Sequence, residues 1–479
     1  MVQQKSLPIF FAVVFACLLL WATYYLEGKW VVATLIGIGF IWTSIIARNP
    51  ERFLFFLFVL FLSMEIDIHF SQQLGTGGAD GLILNACDVV LFALYAVWMV
   101  KLSVAEPEKK RIRLFPSLSI PFWLLILWNG FSIMGAADRV VSFYEYIQLI
   151  KAWFAFLYIA NNIHEENQLR DIGLALCIGV LLQSLLAFAQ HIFGVTLGLE
   201  AFGESRHSLL FQKAGLEKLR RAGGTFGHPN ALAFFLVMTL PVILSLSIGA
   251  RQFWLKSITF FIFVVEMLAL VLTFSRGGWI SFAFAAPFVL LLGVWKRWGF
   301  FRACATLVLF GFLALVVALP FAPSIKKRIF ERDSGAAWSR VSQIHVAWNM
   351  IQAHPLFGVG LNNYALVMQS YDDTPDSITL KVKFPVHNAY FLTTAEAGVP
   401  AVFFLFWLML SLLKKGWDGF WRLEGFPGLF CLGLLGGLAA CLIDKLVEFK
   451  YFASNYLFVL FMGLLAASKF WHERSDSNH

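Results

Sequence analysis

The sequence predicts an all-α polytopic membrane protein with about 12–14 transmembrane helices. The chain has 479 residues, of which 59% are hydrophobic and only 14% are charged, and its mean hydropathy is +0.74. A typical soluble protein has about 25% charged residues, and no soluble core of this length hides so much apolar surface. The 52 phenylalanines and 17 tryptophans fit lipid-facing helices with aromatic belts at the membrane interfaces.

Fourteen apolar runs are candidates for spans: 9–26, 30–47, 52–64, 82–100, 118–135, 141–160, 172–194, 230–249, 252–274, 279–295, 303–322, 388–413, 427–444 and 451–468. A span needs about 20 apolar residues. Because 52–64 is short and 141–160 is amphipathic, we expect between about twelve and fourteen crossings. The run 9–26 has no cleavage-like end, so we interpret it as a helix and not as a removed signal.

The charge pattern assigns the loops to two sides of the membrane. Four short loops are basic, as cytoplasmic loops are, and they begin at Lys101, Ala250, Lys296 and Lys414. This bias accounts for the net charge of +8 without a nucleic-acid partner. We therefore expect both termini in the cytoplasm and the long segments 195–229 and 323–386 on the outer side.

A first segment of interest is "RRAGGTFGHPNALAFF", which begins at Arg220. Gly223 and Gly224 give the backbone freedom, and Pro229 suits the first turn of a helix that runs inward from the outer side. Arg221 is a candidate ligand for an anion. The alternative is a plain loop followed by a helix start.

A second segment, "LTFSRGGWISF", begins at Leu272 and places Arg276 between two apolar runs with almost no loop around it. A charged residue at membrane depth is costly, so it is by default a hypothesis for a functional site. Gly277 and Gly278 let backbone N–H groups approach a ligand closely. The alternative is an arginine that snorkels from a tight turn.

A third segment, "SRVSQIHVAWNMIQAHPLFGVG" from Ser339, predicts an amphipathic helix on the outer membrane face. Its apolar residues recur at helical spacing, at Val341, Ile344, Trp348 and Ile351. Arg340 stands near its start and is either part of a site or a solvated surface charge.

The fourth segment, "FPVHNAYFLTTAEAGVPA" from Phe384, places His387 and Asn388 where a polar loop meets an apolar run. A neutral imidazole is well suited to accept a proton near pH 7, although a lone histidine is usually structural or solvated. Glu396 follows nine residues later, about two and a half helical turns, so it faces away from His387. We therefore expect Glu396 to support the site rather than pair with that ring.

These segments lie on one predicted side of the membrane, and three of them begin helices there. Helix N-termini favour anions, and Arg221, Arg276 and Arg340 add positive charge. The pattern predicts a cationic site for a phosphate-bearing, lipid-linked ligand. Four charged residues between the last two runs are expected to pair with each other or to support this site: Asp444, Lys445, Glu448 and Lys450.

We expect no metal or cofactor. The six cysteines lie in or beside apolar runs and form no CxxC pair, so we interpret them as small apolar residues. The acidic run "YDDTPD" from Tyr371 is a weak candidate for a divalent ion, because Asp, Thr and Pro are typical of turns.

The four segments, in this order and with a large loop before the last, resemble the O-antigen ligase and O-antigen polymerase superfamily of bacterial envelope glycosyltransferases. The resemblance covers roughly residues 205–445. It implies a GT-C-like fold with a large periplasmic loop containing amphipathic helices. The implied organisation is transmembrane helices in 1–194, transmembrane helices with a periplasmic loop 195–229 in 195–322, the large periplasmic loop 323–386, C-terminal helices in 387–469 and a cytoplasmic tail 470–479.

The resemblance also implies a metal-independent, inverting transferase in the bacterial inner membrane, with its active site in the periplasm. The donor would be an undecaprenyl-diphosphate-linked glycan. The acceptor would be lipid A-core for a ligase or another lipid-linked glycan for a polymerase, and we favour the ligase. By the family pattern His387 would be the catalytic base, Arg276 and Arg340 would bind the diphosphate, and Arg221 matches more loosely.

Two other functions stay open from the sequence. A protein O-oligosaccharyltransferase would use the same donor. A polysaccharide transporter or flippase would also place arginines in the membrane, but it would be expected to show repeat symmetry between its halves. The sequence shows no such symmetry.

Overall fold

The structure, a computed structural model, describes residues 49–70, 81–104, 112–205, 221–330, 336–375, 377–448 and 454–471. The predicted spans 9–26 and 30–47 and the tail from residue 472 onward lie outside these residues. The predicted positions of both termini are therefore not among the features described below.

The described elements, in chain order, are α1 (Pro50–Phe61), β1 (Asp67–Phe70), β2 (Leu82–Asn85), α2 (Ala86–Val104), α3 (Ser119–Ser132), α4 (Arg139–Asn162), α5 (Glu166–Phe193), α6 (Pro229–Gly249), α7 (Phe253–Leu272), α8 (Arg276–Trp298), α9 (Phe300–Ala318), α10 (Ala322–Phe330), α11 (Ala336–Ala353), α12 (Tyr364–Val367), α13 (Ile378–Lys381), α14 (Ala389–Ala397), α15 (Val399–Arg422), α16 (Gly425–Asp444) and α17 (Tyr456–Ala467). The strands form one antiparallel pair in which Asp67 lies opposite Asn85.

The predicted fold class is confirmed: the chain is an all-α, multi-pass membrane protein. Within the described ranges, nine helices are long and apolar enough to cross a bilayer, and they are α2, α4, α5, α6, α7, α8, α15, α16 and the segment Phe300–Lys326 that contains α9. Two shorter apolar helical segments, Ser119–Gly135 and Tyr456–Phe470, accompany them. Each of the twelve apolar runs predicted between residues 52 and 468 overlaps one of these helices or α1.

The run 388–413, predicted as one span, is divided into α14 and α15 at Gly398. This glycine has φ 82°, a conformation that side chains other than glycine rarely adopt, and a Cβ at this position would overlap the backbone of Leu356. A proline in the first turn of α15 then favours a new helix start. The helix that begins after His387 is therefore a short one, and the span follows it.

The core of the bundle is the packing of α16 against α6. The glycines Gly433 and Gly437 are four residues apart on α16, and a Cβ on either would overlap α6, at Ser245 and at the carbonyl oxygen of Met238 respectively. Small residues at this spacing let two membrane helices approach closely, which replaces the hydrophobic driving force that is missing in lipid. The residues of α6 are almost all buried as a result.

This packing predicts a large difference between two glycine substitutions. Gly437→Leu inserts a side chain where there is no space, and overpacking of this kind costs about 1–3 kcal/mol or more. Gly311→Leu on α9 is the matched control, because nothing lies within 4 Å of its Cβ position. Thermal unfolding in detergent micelles should show a lower Tm for Gly437→Leu only. Equal Tm values for the two variants would contradict the close α6–α16 contact.

Candidate active site

The start of α14 is held by its N-cap residue, Asn388. The side-chain oxygen of Asn388 accepts hydrogen bonds from the backbone N–H groups of Tyr390 and Phe391, at 3.0 and 3.1 Å. Its side-chain nitrogen donates to the carbonyl oxygen of Leu446 at 3.1 Å, and the N–H of Ala389 donates to that of Lys445 at 3.0 Å. These bonds join the helix start to the end of α16 and so determine where His387 lies.

His387 is partly buried between this helix start and α11. Its Nδ1 lies 3.1 Å from the side-chain oxygen of Gln343, which is itself buried. Arg340, one helical turn before Gln343, is close enough for its charge to act on the ring. Burial and the positive charge of Arg340 lower the pKa of His387 to about 4, so the imidazole is neutral near pH 7.

Arg276 is the first residue of α8. The side chain of Ser275 caps this helix by accepting a hydrogen bond from the N–H of Gly278 at 3.4 Å. A Cβ on Gly277 would lie 2.5 Å from Val447 and 3.3 Å from the carboxylate of Asp444, so only glycine lets α8 approach this segment. A cation gains nothing from the dipole at a helix N-terminus, whereas an anion is attracted by both the dipole and the guanidinium.

Arg221 is buried, with 6% of its surface exposed, and it donates hydrogen bonds to protein groups. Its Nε donates to the carbonyl oxygen of Thr273 at 2.8 Å, and a terminal nitrogen donates to the side-chain oxygen of Asn230 at 2.6 Å. The side-chain nitrogen of Asn230 donates in turn to the carboxylate of Glu448. Arg221 thus connects Asn230, in the first turn of α6, with Thr273, which lies just before the start of α8.

The three helix starts predicted to face one side all contact the same short segment, residues 442–448 at the end of α16. The start of α14 bonds to Lys445 and Leu446, α8 packs Gly277 against Val447, and α6 bonds to Glu448 through Asn230. The Lys445 ammonium lies 3.9 Å from the centre of the Phe234 ring on α6. The structure therefore brings together the predicted starts of α6, α8 and α14.

Glu396 lies at the other end of α14 and is almost fully buried. Its carboxylate accepts hydrogen bonds from the backbone N–H groups of Asn362 and Tyr364, at 2.9 and 3.0 Å. Backbone bonds from Val359 and Gly360 to α14 complete the attachment of the loop "PLFGVGLNNY". Glu396 therefore bonds to the backbone of this loop, and its support of a site stays a prediction.

The helix predicted from Ser339 is present as α11, and one of its sides packs against the protein. Val346, Ala347, Met350 and Ile351 are buried against α14 and the loop that follows α11. Of the predicted apolar residues, Ile351 is buried, whereas Val341 and Trp348 are 58% and 49% exposed. Val341 and Trp348 therefore lie on the side of α11 that faces away from α14, and contact of that side with the membrane stays a prediction.

The acidic run after Tyr371 is engaged within the loop. Asp372 accepts hydrogen bonds from the backbone and hydroxyl groups of Thr374 and Thr379; partial burial raises its pKa, but these bonds outweigh burial and lower it to about 2. Asp373 lies 2.9 Å from His345 and accepts a bond from Asn349 on α11. Both aspartates therefore order the loop around α11.

Comparison with protein families shows what the part of the chain around these residues is similar to. Residues 258–406 match the family model described as O-antigen ligase. About a third of the chain is therefore similar to the O-antigen ligases. This match confirms the resemblance to the O-antigen ligase and polymerase superfamily. The matched region contains Arg276, Arg340, His387 and Glu396, whereas Arg221 precedes it. The chain has no match among curated proteins.

Two residues of the candidate site were missed by sequence reasoning. Gln343 contacts His387, and the hydroxyl of Tyr364 donates to the backbone oxygen of Gln343 at 3.1 Å. The one available signal was the spacing of Arg340 and Gln343, which places both on one side of a helix. Nothing in the sequence indicated that residues 442–448 join three helix starts.

The contacts of Glu396 predict a local effect of its removal. Glu396→Ala leaves two buried N–H groups without their acceptor, at a cost of about 1–3 kcal/mol each. Hydrogen–deuterium exchange should be faster in a peptide covering residues 359–364. Thr393→Ala is the control, because the Thr393 hydroxyl bonds only within α14 in the described contacts. Unchanged exchange in Glu396→Ala would show that the carboxylate does not hold this loop.

Proposed function

We propose that this protein is an inverting glycosyltransferase that moves a glycan from a lipid-linked diphosphate to an acceptor hydroxyl. The observation that supports it most directly is the neutral, partly buried His387 beside Arg340 on α11. This pairing gives one site both a proton acceptor and a fixed positive charge. The O-antigen ligase family domain supports the same class of reaction.

The proposed reaction is a single displacement. The acceptor hydroxyl oxygen attacks the anomeric carbon of the donor sugar while His387 takes the hydroxyl proton. The bond between the anomeric carbon and the diphosphate oxygen breaks, and the lipid diphosphate leaves with the electron pair. A positioned base accelerates such a step by about 10²–10⁴-fold, and attack opposite the leaving group inverts the anomeric carbon.

Arg276 and Arg340 are the proposed ligands of the diphosphate. Their planar guanidinium groups match phosphate oxygens in pairs and keep their charge at every physiological pH. The N-terminus of α8 adds backbone N–H groups that point toward the same charge. Since the leaving group is already a stable anion, charge stabilisation serves it better than protonation, and the proposal involves no metal. Arg221, whose described donors bond to protein acceptors, is proposed to hold the surrounding helix starts.

We further propose that the site opens at the periplasmic face of the inner membrane, with undecaprenyl diphosphate as the donor lipid. The basic short loops then lie in the cytoplasm, and the loops 195–229 and 323–386 lie in the periplasm. We propose ligation of O-antigen to lipid A-core, with polymerisation of lipid-linked glycan as the alternative, and the family match supports both equally. A deletion strain tests this choice, because loss of a ligase leaves long glycan unattached, whereas loss of a polymerase leaves single repeats on the acceptor.

His387→Ala should abolish transfer in a reconstituted assay with lipid-linked glycan and acceptor. With wild-type protein, the rate should stay high down to about pH 5 and fall with a midpoint near pH 4, since a lowered pKa keeps the imidazole neutral until then. Intrinsic fluorescence at each pH controls for unfolding. Undiminished transfer in His387→Ala, or an acid midpoint near 6.5, would rule out this base in this environment.

Two arginine substitutions should distinguish diphosphate binding, proposed for Arg276, from the structural role proposed for Arg221. Arg276→Lys keeps the charge but loses the paired contacts, so we expect kcat/KM to fall about tenfold or more with an unchanged Tm. Arg221→Lys should lower the Tm, since a lysine cannot reproduce both bonds to Thr273 and Asn230, each worth about 1.5–3 kcal/mol. The reverse pattern would exchange the two assignments.

A further inference from the structure

We propose that Gln343 is the positioning residue for His387: it selects the ring tautomer and holds the ring in its reactive orientation. The inference rests on the proposed function, because it assigns a partner to the proposed base. It begins from the 3.1 Å contact between the His387 Nδ1 and the side-chain oxygen of Gln343. An amide oxygen only accepts hydrogen bonds, so Nδ1 carries the proton.

The tautomer decides which nitrogen acts as the base. A neutral imidazole has one N–H and one lone pair, and a proton on Nδ1 leaves the lone pair on Nε2. The acceptor hydroxyl therefore gives its proton to Nε2. In hydrolases with a catalytic triad, a carboxylate plays this part toward the histidine, and it also stabilises the imidazolium. A neutral amide orients the ring without adding a negative charge.

The absence of that negative charge has a consequence beside Arg340. A carboxylate at position 343 would favour the imidazolium and so raise the pKa of His387. It would also pair with Arg340 and neutralise the positive charge that we propose binds the diphosphate. Glutamine keeps the ring neutral over a wider pH range and leaves the arginine charge in place. An amide at position 343 thus suits both neighbours: the proposed base His387, which it contacts, and the cation Arg340, which lies one turn earlier on α11.

Gln343 is itself held in place by a connected set of contacts. It is 5% exposed, and its backbone oxygen accepts a hydrogen bond from the hydroxyl of Tyr364, a fully buried side chain. The N–H of Tyr364 donates to Glu396 at the far end of α14, the helix that begins just after His387. The contacts therefore run from His387, just before α14, through Gln343 and Tyr364 to Glu396, which belongs to α14. A shift of α11 against α14 would move the ring from its orientation.

The test compares three variants of one position in the transfer assay. Gln343→Ala should lower kcat about 10- to 100-fold with little change in the KM for the donor, since a misplacement of about 1 Å can cost about 100-fold in rate. Gln343→Glu restores the acceptor oxygen but partly neutralises the charge of Arg340, so it should recover part of the rate lost in Gln343→Ala at pH 7 to 8. Its acid midpoint should move to higher pH than in the wild type, because the added carboxylate favours the imidazolium. A merely structural role would not move this midpoint.

Gln352→Ala is the matched control, because Gln352 is an exposed glutamine of the same helix. Tyr364→Phe provides a second, milder variant that removes only the bond to the Gln343 backbone. It should lower kcat several-fold without moving the acid midpoint. Melting temperatures of all variants identify any that fail to fold.

The possible outcomes separate this inference from the proposed function. If His387→Ala abolishes transfer while Gln343→Ala keeps the wild-type kcat and Gln343→Glu keeps the wild-type acid midpoint, the positioning role is overturned and the base assignment stands. If His387→Ala retains transfer, the proposed function fails first. Loss of rate in Gln343→Ala with recovery and a shifted midpoint in Gln343→Glu supports the inference.

Discussion

The attachment of three helix starts to residues 442–448 is the constraint on which the site depends. Bonds from Asn388 and Ala389, the close approach of Gly277 and the bond from Asn230 all converge on this segment. Glycines let α16 pack closely against α6, so the position of the segment that follows α16 depends on this packing. Helix N-termini that meet at one point add their dipoles at that point, which favours an anion there.

The electrostatics of the site combine two demands that oppose each other. A base must be neutral to accept a proton, whereas a diphosphate requires positive charge nearby. In the proposed site His387 lies near Arg340 of α11, and this arrangement would meet both demands, because burial and the arginine charge each disfavour the imidazolium. The cost is a weaker base, and a weaker base takes a proton less readily. Orientation of the ring and of the hydroxyl then has to supply more of the rate, which gives the contact with Gln343 its importance.

Glu396 is connected to the proposed base through contacts that are not direct. Its carboxylate holds the turn at residues 362–364, and Tyr364 in that turn holds Gln343. The helix α14 thus presents His387 at one end and anchors the partner of His387 from the other. Gly398 makes this arrangement possible, since its positive φ ends the short helix and lets the span α15 begin in a new direction.

The sequence by itself determined the membrane class, the positions of the described helices and most helix starts. These features depend on composition and on contacts between residues a few positions apart, such as the caps at Ser275 and Asn388. It also marked Arg276, because ionisable residues at membrane depth are rare. His387 was marked because it stands where a polar loop meets an apolar run, and Arg340 because it stands near the start of a predicted amphipathic helix. Only the tertiary structure decided which face of α11 is buried, that Arg221 bonds to Thr273 and Asn230, and that Gln343 reaches His387 across 44 positions. Contacts between distant residues depend on how helices pack, and apolar periodicity alone does not determine that packing.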